Sequence, residues 1–155
     1  MEIRVGALIP AYNCEDRIGG VVAGTAAHGV DVLVVDDGST DDTVAAARRA
    51  GARVIRRAVN GGKGDAIRVG LSVLLGEPHT HVLMLDCDGQ HDPADIPSFL
   101  AMAGDADFLL GNRLWNPAAI PAKRFWTNYI GTRALELMSG YPLEDSQCGF
   151  RLVAA

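Results

Sequence analysis

The sequence predicts an α/β fold whose central sheet is mainly parallel and flanked by helices. Three observations point there. Short apolar runs alternate with helix-like stretches along most of the chain, the pattern of strand–helix–strand units. The run over 30–35 is almost continuously apolar, as a strand covered on both faces must be. Polar clusters follow the apolar runs at Pro10-Ala11-Tyr12-Asn13, Asp36-Asp37, Asp86 to Gln90 and Asn112-Arg113. In open α/β sheets the carboxyl ends of the strands are where ligands bind, so four such clusters are expected to share one rim.

Taken in order, residues 4–9 predict the first strand and 15–28 a helix. After the second strand at 30–35, Ser39-Thr40-Asp41-Asp42 offers hydroxyl and carboxylate caps for a helix running to Ala50. Gly51 then stands where a helix end takes a left-handed residue. Residues 52–56 predict a short third strand near an edge. Asn60-Gly61-Gly62-Lys63-Gly64 reads as a flexible loop before a helix over 65–75. The fourth strand spans 81–85, and Asp92-Pro93 opens a helix to about Met102, proline being favoured in a first turn. A fifth strand covers 107–111. From Trp115 onward the periodicity weakens, apart from a helix over 125–138. No repeat, linker or low-complexity segment interrupts the chain.

A length of 155 residues suits one domain with a substantial core. Apolar residues at 48% and charged ones at 21% are an ordinary globular balance. A net charge of −5 argues against bulk electrostatic binding to nucleic acid, which needs a basic face. Arg48-Arg49, Arg56-Arg57 and Lys123-Arg124 are local basic pairs able to hold phosphate or to sit on a solvated face. The three cysteines, Cys14, Cys87 and Cys148, lie far apart and form no C-x-x-C, which argues against a zinc site or a disulfide framework. With no signal-peptide pattern, they fit a reducing, cytoplasmic compartment. No apolar run approaches the roughly 18 residues of a membrane-spanning helix.

The chemistry concentrates in Leu83-Met84-Leu85-Asp86-Cys87-Asp88-Gly89-Gln90-His91. With a side-chain period of two, Asp86 and Asp88 point the same way as the strand runs out, and Cys87 between them is expected to face the core. Two neighbouring carboxylates repel unless a cation lies between them. Hard oxygen ligands suit Mg²⁺ or Mn²⁺, which combine one or two carboxylates with the oxygens of a diphosphate. A pair of solvated turn acids is the plain alternative. Lys63 among glycines suggests a phosphate-contacting loop, although no G-x-x-x-x-G-K-[ST] pattern exists. His91 reads equally as a helper at the metal and as a capping or supporting histidine. Tyr12 has the alternative of a half-buried strand-end aromatic, and Asp36, alternating away from Asp37, reads as structural.

Together these segments resemble the family 2 glycosyltransferases of GT-A (Rossmann-like) fold. The likeness is nearest to the dolichyl-phosphate mannose synthase and polyprenyl-phosphate glycosyltransferase branch. It is carried by Ile9 to Asn13, Val34 to Asp41, Asn60 to Gly64, Leu85 to Pro93, Gly111-Asn112-Arg113 and Asp145 to Arg151. The resemblance implies a donor site made by Pro10, Ala11, Tyr12, Asp37, Lys63, Asp86, Cys87 and Asp88, with Asp37 at the base or ribose. It implies that Asp86 and Asp88 hold a Mg²⁺ or Mn²⁺–diphosphate unit, with Gln90 on the metal side. Arg113 would approach phosphates, and Asp145 would lie on the acceptor side. The implied reaction is inverting transfer of a sugar from a nucleotide-diphosphate sugar, GDP-mannose or a UDP-sugar, to a polyprenyl phosphate at the cytoplasmic face of a membrane.

If the acceptor were a saccharide hydroxyl, a base would be needed and Asp145 is the candidate. A nucleotide-sugar-binding domain without turnover is the remaining alternative. A nucleotidyltransferase would want a basic glycine-rich loop after the first strand, and an NAD-dependent oxidoreductase a G-x-G-x-x-G; neither is present. Two departures from the family pattern stand out. Cys14 separates Asn13 from Glu15, where the family usually has glutamate directly after, or in place of, the asparagine. The chain also stops at Ala155, so the resemblance implies a single catalytic domain over 1–155 lacking the usual C-terminal extension. Apolar surface around Phe125, Trp126 and Tyr129 would then favour a homodimer.

Overall fold

The computed structural model describes residues 3–112, 122–142, 144–146 and 148–155, with backbone alone for 122–124. Arg113 and Trp115 lie outside the described residues. The chain divides into two compact units, one comprising Met1–Leu109 with Leu152–Ala155 and the other Leu110–Arg151.

The first unit is built on β1 (Val5–Ala11), β2 (Asp31–Asp36), β3 (Arg53–Arg56) and β4 (His81–Met84), with helices α1 (Glu15–Ala26), α2 (Thr43–Arg49), α3 (Lys63–Leu74) and α4 (Ile96–Met102). With β5 (Phe108–Leu110) and β6 (Arg151–Ala154), the sheet order is β3-β2-β1-β4-β6-β5. β1 pairs in parallel with both β2 and β4, and β2 in parallel with β3. The expected short third strand is indeed at an edge. β6 was not legible from its four residues. Ala154 N–H donates to Asp107 C=O at 2.8 Å and Gly111 N–H to Phe150 C=O at 2.9 Å, so β6 runs antiparallel to β5.

Register explains why the clusters meet. Ala11 lies beside Asp36, and Asp36 beside Arg56, at the carboxyl ends of β1, β2 and β3. Two further bonds carry the ladder one step on: Asp37 N–H to Ala11 C=O and Arg57 N–H to Asp36 C=O, both 2.8 Å. Tyr12, Asp37 and Arg57 therefore emerge side by side. On the other flank, Leu8 pairs with Met84 and Leu85 N–H donates to Leu8 C=O at 3.2 Å, which brings Asp86 to Asp88 up beside the end of β1.

One core layer packs α3 against the sheet through Leu8, Leu33, Val35, Ala66, Leu74 and Val82. Gly70 allows the closest approach, since a Cβ there would fall 2.1 Å from Leu8 Cδ1. α1 contributes Ile18, Val21 and Val22 to the buried set, and α4 Ile96 and Phe99.

The loops after β1 and β2 are stitched to each other. Asn13, at φ +47°, a conformation asparagine tolerates, donates its N–H to Ser39 Oγ and accepts from Thr40 N–H, both at 2.9 Å. Cys14 N–H donates to Thr43 Oγ1 at 2.8 Å. Capping differs from the expectation: Ser39 and Thr40 bond Asn13, while Asp41 Oδ1 accepts from Thr43 N–H at 3.1 Å and Glu15 Oε2 from Asp42 N–H at 2.7 Å. Gly51, at φ +97°, ends α2 as anticipated. The expected single helix after Asp92-Pro93 begins instead as one 3₁₀ turn, Pro93–Asp95, before α4.

The second unit carries α5 (Ala122–Ser139), whose Trp126 and Tyr129 are exposed and whose Phe125 stacks on Tyr129 with centroids 6.0 Å apart. Among the described residues, no helix is long and apolar enough to cross a membrane.

Candidate functional site

A cleft of about 250 Å³ opens at the carboxyl ends of β1, β2 and β4. Pro10, Ala11, Tyr12, Asp37, Lys63, Asp86, Cys87 and Asp88 line it, joined by Ala66 from α3. The residues that sequence reasoning gathered as a donor site thus share one surface of the first unit.

Asp37 is almost fully buried and serves as the hub of one wall. Its Oδ1 accepts from the guanidinium of Arg57 and from Gly61 N–H, and its Oδ2 accepts from Gly62 N–H at 2.7 Å. The Arg57 guanidinium also reaches Asp65 Oδ2, 3.5 Å away. The expected loop 60–64 is accordingly shorter than its composition suggested. Gly62 is the N-cap at φ +90°, a left-handed conformation glycine adopts freely, and Lys63 is already the first residue of α3. In the sequence Arg57 reads only as half of a basic pair; the signal that singles it out is its register position next to Asp37.

Asp86 faces a cation on one side and an imidazole on the other. Lys63 Nζ lies 2.5 Å from its Oδ1, and the buried His91 places Nε2 3.5 Å from its Oδ2. Burial pushes the Asp86 carboxyl up, but the contacts with His91 and Lys63 outweigh it and hold the group well below the usual carboxylate range. Asp88 Oδ1 accepts from Gln90 N–H at 3.0 Å, a tight turn that leaves Gln90 exposed just beyond the cleft.

Cys87 corrects an expectation. The strand ends at Met84, so alternation no longer governs it, and the half-buried residue lines the cleft instead of joining the core. It meets Cys14 from the loop after β1. A hydrogen bond from Cys14 lowers the Cys87 thiol to about 7 against the opposing effect of burial, while the same bond and burial push Cys14 far above the thiol range.

The remaining predicted residues fall elsewhere. Asp36 is buried, accepts from Ser39 N–H at 3.3 Å and faces Arg56 Nε at 3.6 Å, the structural part foreseen for it. Glu15 is occupied in capping α2. Asp145 is buried in the second unit, and Arg113 lies outside the described residues.

Comparison with known proteins decides the family. The model of Glycosyl transferase family 2 matches residues 7–152. The chain belongs to this family. Among similar proteins, an undecaprenyl-phosphate mannosyltransferase of Micrococcus luteus is 29% identical over 99% of this chain and 67% of its own length. A UDP-N-acetylglucosamine–dolichyl-phosphate N-acetylglucosaminyltransferase of Methanococcus voltae is 29% identical over 93% of this chain and 66% of its own. The chain spans 71% of the length of one curated relative it matches and 48% of another. In three dimensions, glucosyl-3-phosphoglycerate synthase of Mycobacterium tuberculosis in complex with UDP superposes with a TM-score of 0.74 at 21% identity, covering 98% of this chain and 57% of that one. The fold of this family 2 member is therefore the GT-A fold, an α/β sheet flanked by helices.

Proposed function

We propose that this family 2 member transfers a sugar from a nucleotide-diphosphate sugar, GDP-mannose or a UDP-sugar, to a polyprenyl phosphate at a membrane surface. The observation that carries the reading is the cleft itself, which brings an aromatic edge, an ammonium and a pair of acids to one rim. Tyr12 and the Pro10-Ala11 segment at the end of β1 offer a surface for the base, and Asp37 holds the loop that closes that wall. Lys63 supplies charge for the diphosphate.

The donor atoms suit a hard divalent cation: Asp86 and Asp88 give carboxylate oxygens, and Asp86 stays ionised in its setting. Asp86 and Asp88, with Gln90 nearby, would hold Mg²⁺ or Mn²⁺, whose Lewis acidity neutralises charge on the departing nucleoside diphosphate. Arg113 would add a planar fork of donors for phosphate oxygens. A polyprenyl phosphate is already an anion and attacks without a protein base. Two similar proteins are named for polyprenyl-type acceptors with different sugars, which supports the acceptor class and leaves mannose and UDP-linked sugars as the donors to compare.

The test is radiolabelled sugar transfer from GDP-mannose and from UDP-sugars to a short-chain polyprenyl phosphate, with Mg²⁺ or Mn²⁺ and with chelator. Chelator-sensitive, lipid-extractable product from one donor is the expected result. Transfer only to free saccharides would replace the acceptor class. Absence of both transfer and nucleotide binding would overturn the reading.

A further inference from the structure

We propose that Lys63 occupies the Asp86 carboxylate in the free protein and leaves it for an incoming diphosphate, so that divalent cation and donor bind as a linked pair. The inference rests on the donor-site reading above and adds an order to it.

Geometry sets the conflict. The Lys63 ammonium is in direct ion-pair contact with Asp86 Oδ1, a charge-assisted bond, while the buried His91 flanks Oδ2. A dication approaching Asp86 meets a positive charge already seated on one oxygen and an imidazole at the other. Asp88 alone, with Oδ1 accepting from the Gln90 amide, is a weak remaining ligand. Among the described residues, no three His, Cys, Asp or Glu side chains gather as a metal cage. Metal affinity without nucleotide is therefore low.

A nucleoside diphosphate changes both halves of the conflict. Its oxygens offer the ammonium a new anionic partner and offer the cation extra ligands. Lys63 is placed to make that exchange. Its Cα is fixed at the first turn of α3, because Asp37 holds the Gly61 and Gly62 amides and Gly70 seats the helix on Leu8. Its side chain is 55% exposed and the Asp86 side chain only 22%, so the lysine swings while the carboxylate stays. Coupling is reciprocal: whatever factor the diphosphate adds to metal affinity, the metal adds to diphosphate affinity, typically 5–150-fold.

The measurement is Mn²⁺ binding followed by the electron paramagnetic resonance of free Mn²⁺, without nucleotide and with GDP or UDP, which needs no turnover. Wild type is expected to bind Mn²⁺ weakly alone and at least about tenfold tighter with one nucleotide. Lys63→Met keeps the length and removes the charge; it should tighten nucleotide-free Mn²⁺ binding several-fold and shrink the enhancement. Lys63→Gln should behave alike, and Lys63→Arg should stay near wild type. Nucleotide-free affinity that is equal or weaker in both Lys63→Met and Lys63→Gln would overturn the exchange while leaving the donor site standing. If neither nucleotide alters Mn²⁺ binding to wild type, and Asp88→Asn changes nothing, the site reading falls and the exchange falls with it.

Discussion

Asp37 and Arg57 face each other across the ends of two neighbouring strands, and their ion pair ties β2 to the start of α3. The guanidinium donates to Asp37 Oδ1, and the same carboxylate receives the amides of Gly61 and Gly62. Both side chains are well shielded, at 22% and 4% exposure, so the pair belongs to the class whose breakage leaves an uncompensated charge. Asp37→Ala removes the acceptor of two amides and leaves the Arg57 guanidinium with only its 3.5 Å contact to Asp65, and should cost about 3 kcal/mol of stability. Arg57→Ala should cost less, because Asp37 keeps its amide donors. A double-mutant cycle by urea denaturation should return a coupling of about 1–3 kcal/mol, and additivity of the two losses would refute the pairing. Nucleotide affinity should fall in both single variants, and added Mn²⁺ should not restore it.

The contact between Gly70 and Leu8 yields a second prediction, about the frame under the site. Alanine is favoured over glycine inside a helix by up to about 1 kcal/mol, so an exposed glycine-to-alanine change would stabilise. Here the new methyl would lie 2.1 Å from Leu8 Cδ1 and 2.9 Å from Cδ2, on a side chain with no solvent exposure to retreat into. Overpacking of this kind costs about 1–3 kcal/mol, so it wins. Gly70→Ala should lower the thermal midpoint by several degrees, and the same change at Gly64, where nothing lies within 4 Å of the added carbon, should not. A raised midpoint for Gly70→Ala would mean that α3 stands further from the sheet.

Much of this was legible in the sequence because strands buried on both faces write themselves as apolar runs. Val32 to Val35 is the clearest, and the residues that follow such runs, Pro10 to Tyr12, Asp37 and Asp86 to Asp88, all reached the cleft. What escaped depends on contacts distant in sequence. Arg151-Leu152-Val153-Ala154 is too short to declare itself, and its place between β4 and β5 is set by pairing across more than forty residues. The start of α3 was hidden because glycines 61, 62 and 64 argue for a loop, whereas Asp37 fixes two of their amides and starts the helix at Lys63. Cys87 was misplaced by extending strand alternation past Met84, the last residue of β4.

Asp88 supplies a third prediction. It lines the cleft, and its Oδ1 already holds the Gln90 amide in a turn. Asparagine can keep that acceptor while removing the negative charge. Asp88→Asn should therefore unfold at the wild-type midpoint within about 0.5 kcal/mol, as expected for a substitution that leaves packing intact. Its calorimetric affinity for GDP or UDP in Mn²⁺ should nevertheless drop towards the value seen with chelator. Equal wild-type affinity with Mn²⁺ and with chelator would remove the metal from the site.

Cys87 gives the last prediction, because the residue lines the cleft and its thiol is acidified. The thiolate is the nucleophile, so alkylation follows the thiolate fraction. A lowered pKa populates thiolate at lower pH. Reaction with iodoacetamide should thus rise through a midpoint near the value of about 7 held by Cys87 and level off above it, whereas an ordinary thiol, at 9.0, is still climbing there. Cys14, held protonated by the bond it donates and by burial, should react far more slowly. Cys14→Ala removes the donated bond and should move the Cys87 midpoint upward, since burial and the neighbouring Asp88 and Asp86 charges then act without opposition from that thiol. Peptide mapping by mass spectrometry reads both sites in one experiment. A nucleoside diphosphate with Mn²⁺ should protect Cys87, because the residue lines the cleft between the two acids. Faster labelling of Cys14, or no protection, would show that the Cys87 thiol points away from the cleft.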